Sequence, residues 1–226
     1  MSAVGHRFRL IVFDVDGTLV DSQHVIASAT TAAFAAEGVA APDPAAVRRQ
    51  VGLGVEETMA RLLPEGEAGL HRRLAVAFRE AAFEMRRQPG YAEPLYPGIR
   101  EVLDSLCHPT VFFGIATGKA RRGLDHTLAS HGLAALFHTL PTADRNPSKP
   151  NPAMLFNAMA ETGVSAQETV LIGDTTFDMA MAATAGTAAI GVAWGYHAAE
   201  DLHMAGAQRI IAKPAELGPA IGRLGG

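Results

Sequence analysis

Asp14 and Asp16 stand two residues apart at the end of an apolar run, in RLIVFDVDGTLVDS, residues 9–22. A run of this kind reads as a buried strand. Two carboxylates ~4 Å apart repel by about 4 kcal/mol at an effective dielectric of roughly 20, so a cation or a reaction must hold them there. Other polar residues also close apolar runs. Thr117-Gly118 follows TVFFGIA, Lys149 lies in TADRNPSKPNP, and Asp174 and Asp178 lie in GDTTFD. Singly, each has a plain explanation: a turn for Asp16-Gly17-Thr18, an N-cap for Thr117, a solvated loop for Lys149, a cap or turn for Asp174. An EF-hand is a poor fit, because its twelfth position, which needs a glutamate, is Val25.

Their joint placement carries more weight. Short apolar runs at Phe8–Asp14, Thr110–Ala116, Leu136–Thr142 (weak), Thr169–Asp174, Thr187–Ala193 and Arg209–Ala212 read as strands. Helical patterns at about 98–107, 121–131, 152–162 and 177–185 alternate with them, which predicts an α/β fold with a parallel sheet. Ligands of open α/β sheets bind beyond the carboxyl ends of the strands, and that is where these residues fall. Asp14, Asp16, Asp174 and Asp178 bring four negative charges against one positive charge on Lys149. Such a pocket needs a bound cation, and all-oxygen ligands favour Mg²⁺ over Zn²⁺. Lys149, the Thr117 hydroxyl and backbone N–H groups at a helix start also suit a phosphate. A carboxylate nucleophile, a divalent cation and a phosphate cradle together describe phosphoryl transfer.

Residues 22–93 break the alternation. SQHVIASATTAAFAAEG, DPAAVRRQVG, EETMARLL and EAGLHRRLAVAFREAAFEMRRQ all read as helical, with Asp43 as an N-cap and Pro44 in the first turn. The expectation is a helical cap domain at 22–93 inserted into a core of 1–21 and 94–226, with hinges near Leu19–Ser22 and Pro94–Gly98. Its arginine pairs (Arg48–Arg49, Arg72–Arg73, Arg86–Arg87) read as solvated helix faces, although Arg49 in RRQVGLGVEET could meet a substrate anion. Gly52 and Gly54 would let that loop approach the site, a plain helix–helix turn being the alternative. His24 reads as a satisfied or solvated histidine.

DVDGTLVDS, IATGK, SKPNP and GDTTFD resemble, in order, the four motifs of the haloacid dehalogenase superfamily of aspartate-dependent phosphohydrolases. The helical insertion is similar to the cap of the branch that includes phosphoglycolate phosphatase and β-phosphoglucomutase. The resemblance implies a Rossmann-like core and a Mg²⁺-dependent phosphatase of small phosphorylated metabolites. Asp14 would be the nucleophile and Asp16 the general acid–base. Asp14, the Asp16 carbonyl and Asp174 would ligate Mg²⁺, while Thr117, Gly118 and Lys149 would hold the phosphoryl group. Asp178 would orient metal-bound water or Lys149. True dehalogenases lack the second aspartate, so Asp16 favours phosphate chemistry. A phosphomutase shares the same motifs and cap. A phosphoacceptor receiver module would be shorter, with an adjacent acidic pair and no insertion.

Composition narrows the setting. Among 226 residues, 48% are hydrophobic and 19% charged, the balance of a globular chain. A net charge of −4 leaves no basic footprint for nucleic acid or anionic membrane. Cys107 is the only cysteine, which excludes an internal disulfide framework. The first apolar run is cut by Asp14, so it is no signal-peptide core, and no run approaches the ~20 residues of a membrane span. The expectation is a cytoplasmic monomer or homodimer.

Overall fold

The computed structural model describes residues 7–224. Six strands, β1 (Leu10–Phe13), β2 (Phe112–Ile115), β3 (Phe137–Thr139), β4 (Thr169–Gly173), β5 (Ala188–Val192) and β6 (Arg209–Ile211), form one parallel sheet in the order β3-β2-β1-β4-β5-β6. β1 lies at the centre, with Leu10 opposite Phe112 on one side and Thr169 on the other. Its four residues are all buried because helices cover both faces, and this is why LIVF is continuously apolar rather than alternating. Side chains of successive residues still part to opposite faces. Ile11 and Phe13 pack with α5 (Ile99–Leu106), α6 (Arg121–Ser130) and α10 (Leu217–Leu224). Leu10 and Val12 pack with α7 (Ala153–Thr162), α8 (Thr176–Ala185) and α9 (Ala199–Met204).

The strand runs read from the sequence all occur, trimmed by a few residues at their ends. The weak third one shortens to three residues, and Thr142 beyond it bridges Thr117. α9 and α10 were not expected. α9 has only six residues, and α10 contains Gly218, Pro219 and Gly222, which hide its helical pattern.

Between β1 and α5 come four helices, α1 (Gln23–Ala36), α2 (Pro44–Arg48), α3 (Val55–Leu62) and α4 (Ala68–Arg86). Asp43 caps α2, accepting from the Ala45 N–H at 2.9 Å. These helices share an apolar cluster of their own around Phe34, Met59 and Leu74. The chain leaves the sheet and returns to it through two segments that pair with each other. Val20 bridges Leu95 antiparallel, the Asp21 N–H donates to the Pro94 carbonyl at 2.8 Å, and the Tyr96 N–H donates to Leu19 at 3.0 Å. No helix among the described residues is long and apolar enough to cross a membrane.

Candidate active site

The carboxyl ends of the central strands converge on one buried cluster. Asp14 follows β1 and is fully buried, as are Lys149, Asp174 and Asp178. Lys149 Nζ lies 2.8 Å from Asp14 Oδ1 and 2.6 Å from Asp178 Oδ1, bridging two carboxylates. Asp178 is fixed from its other oxygen by a capping box at the start of α8, where the Thr175 hydroxyl donates to Asp178 Oδ2 at 2.6 Å. Asp174 accepts from the Thr18 hydroxyl at 2.7 Å and from the Tyr196 N–H at 2.9 Å. Gly17 makes this approach possible: at φ +87°, a Cβ there would stand 2.2 Å from Asp174 Oδ2.

Asp14, Asp174 and Asp178 each place a carboxylate oxygen within 4.8 Å of the others. Asp14 Oδ2 is buried and receives no hydrogen bond. Burial pushes the Asp14 carboxyl up to about 7, Lys149 opposing and Asp178 adding to the shift. Burial, then the charges of Asp14 and Asp178, hold Asp174 well above the usual carboxylate range. Burial alone would lower the Lys149 ammonium, but Asp14 and Asp178 outweigh it and raise it. An orphaned oxygen among crowded carboxylates fits a hard divalent cation, which would favour their ionised forms.

Asp16 points away from this cluster. Its Oδ1 lies 2.9 Å from Lys119 Nζ and accepts from the Ser22 hydroxyl at 2.6 Å. Lys119 also contacts Glu93 Oε1 at 3.0 Å, and the Thr127 hydroxyl donates to Glu93 Oε2 at 2.9 Å. Burial alone would lower the Lys119 ammonium, but Asp16 and Glu93 raise it. Thr117 is buried at the end of β2, and its hydroxyl accepts from the Lys119 N–H at 3.1 Å. α6 starts only at Arg121, so Thr117 caps a turn and not a helix, contrary to the sequence reading.

The loop Val51–Gly54 lies on these strand ends. The Gly54 N–H donates to the Ser148 hydroxyl oxygen at 2.8 Å. A Cβ on Gly118 would fall 2.3 Å from the Leu53 carbonyl oxygen, so only glycine permits this contact. Beside it opens a cavity of about 280 Å³ that runs from Asp16, Gly118 and Lys119 to α1, α3 and α4.

The sequence profile of the haloacid dehalogenase-like hydrolases matches residues 11–192. The chain belongs to that family. It is 34% identical over 204 residues to a probable phosphatase, IndB, of Dickeya dadantii, covering 89% of this chain and 88% of the relative. It is 32% identical over 199 residues to a phosphoglycolate phosphatase of Vibrio parahaemolyticus, covering 86% and 87%. A crystal structure of a predicted phosphoglycolate phosphatase from Haemophilus somnus superposes with a TM-score of 0.83 at 22% identity, over 95% of this chain and 98% of that one. The haloacid dehalogenase-like fold therefore stands, and the activity class is that of a phosphoric monoester hydrolase.

Within this haloacid dehalogenase-like hydrolase, Asp14, Lys149, Asp174 and Asp178 come together, Asp16 turns to Lys119 and Ser22, and Thr117 and Gly118 follow β2. Arg49 is exposed and does not line the cavity; its carbonyl accepts from His197 Nε2 at 3.2 Å. Arg48 and Arg86 depart from the solvated-face reading. Arg48 donates to the Gly195 carbonyl at 2.7 Å and the Tyr196 carbonyl at 3.2 Å, and Arg86 lines the cavity. His24 is exposed, as expected. Sequence reasoning missed Thr18, Ser22, Glu93, Lys119 and Tyr196. Only Lys119 gave a signal, two residues after Thr117.

Proposed function

We propose that this hydrolase is a Mg²⁺-dependent phosphatase of small phosphate monoesters that works through an aspartyl-phosphate on Asp14. The observation that carries the reading is the unpartnered Asp14 Oδ2, a buried carboxylate oxygen with no donor, whose other oxygen Lys149 holds at 2.8 Å. Asp14 Oδ2 would attack phosphorus while the bond to the ester oxygen breaks. Asp16 would give its proton to the departing alkoxide, then take one from the water that hydrolyses the aspartyl-phosphate. Hydrolysis frees phosphate and restores the Asp14 carboxylate. Thr117, the Gly118 N–H and Lys149 would bind phosphoryl oxygens, with Lys149 positioned by Asp178. Asp14, Asp174 and the Asp16 carbonyl would hold Mg²⁺, which would supply charge neutralisation at the phosphoryl group.

In the same proposal, residues 22–93 act as a cap over a core of 1–21 and 94–226. The paired linkers at Leu19–Ser22 and Pro94–Gly98 serve as its hinge, and closure excludes water from the reacting phosphate. We propose a cytoplasmic enzyme, monomer or homodimer. Phosphate release from a panel of small phosphate monoesters, 2-phosphoglycolate among them, with Mg²⁺ and with EDTA, tests this function. Magnesium-dependent release is expected. Isomerised product with a bisphosphate activator would indicate a mutase, and no turnover on any ester would reject the proposal.

A further inference from the structure

We infer that the preferred leaving group is a compact apolar body of ring size, and not a short anionic fragment such as glycolate; the inference rests on the phosphatase reading above. The cavity begins at Asp16, the residue assigned to protonate the leaving oxygen, so what fills it is the leaving group. Most of its wall is apolar, with Val25 and Ile26 from α1, Met59 from α3, and Phe78, Ala82 and Phe83 from α4. Its volume, about 280 Å³, is roughly twice the ~150 Å³ of an apolar cavity that takes up benzene. A two-carbon fragment would leave most of that space empty, forgoing contact with the walls.

Desolvation points the same way. A carboxylate entering this space would lose its hydration against apolar walls, a costly transfer unless it is paired. Glu80 and Glu93 share the lining with Arg79, Arg86, Lys119 and Arg122, so the cavity is not a cationic pocket free of acids. Two of the four cations there are engaged. Lys119 sits between Asp16 and Glu93, and the Arg122 guanidinium lies 3.6 Å from the centre of the Phe83 ring. Arg86 Nε retains a buried N–H without an acceptor, so a single polar substituent on the ligand has a donor available.

Three esters of primary alcohols test the inference on the full chain with Mg²⁺: 2-phenylethyl phosphate, ethyl phosphate and 2-phosphoglycolate. Because all three leaving groups are primary alkoxides, differences report the pocket and not intrinsic reactivity. The expected result is a kcat/KM for 2-phenylethyl phosphate at least about tenfold above both others, the discrimination a well-fitted apolar pocket supplies. Ala82→Phe, and the smaller Ala82→Leu with its fold checked by thermal melting, should bring that ratio toward one by filling the space. If 2-phosphoglycolate is turned over as well as or better than 2-phenylethyl phosphate, with the advantage lost in Arg86→Met, the cavity reads a carboxylate and the inference is overturned while the phosphatase reading stands. Release from none of the three would overturn both.

Discussion

Lys119 Nζ lies 2.9 Å from Asp16 Oδ1 and ties that carboxylate to Glu93, on the segment that returns from the inserted helices to the sheet. Lys119→Met would leave two buried carboxylates facing each other without their cation, a loss of about 3–5 kcal/mol for a broken buried pair. The double variant Lys119→Met/Glu93→Gln should regain much of that stability. It should not regain turnover, because Asp16 would still lack the ammonium that orients it. Thermal melts with kcat on the same samples separate the two effects, and recovery of both together would refute the positioning role.

Asp14→Asn should fold at least as stably as the parent, since it removes one of several crowded carboxylates. Turnover should fall about a thousandfold or more, as expected when covalent catalysis is lost. A variant with a tenth of the parent rate would exclude Asp14 as the nucleophile.

EDTA should abolish activity and Mg²⁺ should restore it. Asp174→Asn leaves an amide oxygen to accept from Thr18 or Tyr196, so the fold should persist. Mg²⁺ affinity should fall by at least the about 10–100-fold typical of supporting groups around a metal. Calorimetric titration reads the affinity directly, and an unchanged value would remove Asp174 from the site.

Burial alone would raise the Glu93 carboxyl, but Lys119, through its charge and its hydrogen bond, and the Thr127 hydroxyl hold it below its ordinary 4.5. A carboxylate lowered in the folded chain adds stability above its unfolded value, and that stability is lost as pH falls through the folded value. The parent should therefore lose stability on the acid side of 4.5 more steeply than Glu93→Gln. Urea midpoints between neutral pH and the acid limb provide the comparison, and parallel acid limbs would contradict it.

Ser148→Ala removes the oxygen that accepts from the Gly54 N–H at 2.8 Å, the hydroxyl contact between the Val51–Gly54 loop and the core. KM should rise about three- to tenfold, matching a hydrogen bond of ~1 kcal/mol, while the melting temperature stays within a degree or two. An unchanged KM would mean that substrate binding does not depend on this contact.

The sheet and the inserted helices were legible because their signals are local. LIVF, TVLIG and the helical periodicities each declare themselves within a few residues. Asp14, Lys149, Asp174 and Asp178 were legible because each closes a strand or its loop on the binding edge of the sheet. The Lys119–Glu93 pair was not, since its partners come from a motif and a linker that only the fold brings together. Arg49 was expected near the substrate on the strength of its loop alone. Which of two adjacent arginines turns inward depends on the docking of that loop, and the docking leaves Arg49 exposed while Arg48 reaches Gly195.

Of the six strands, β1 is made before the two that flank it, with Leu10 waiting for Phe112 and then Thr169. The four inserted helices emerge in that interval and pack chiefly on one another, α1 and α3 against α4, so they can form before the sheet exists. The paired linkers at Val20 and Leu95 would then hold the nascent β1 at the base of an already folded block. An apolar strand with two open edges invites pairing with other chains. In this molecule the insertion delays the closing of those edges, and the same order of synthesis supplies a folded neighbour beside them while they are open.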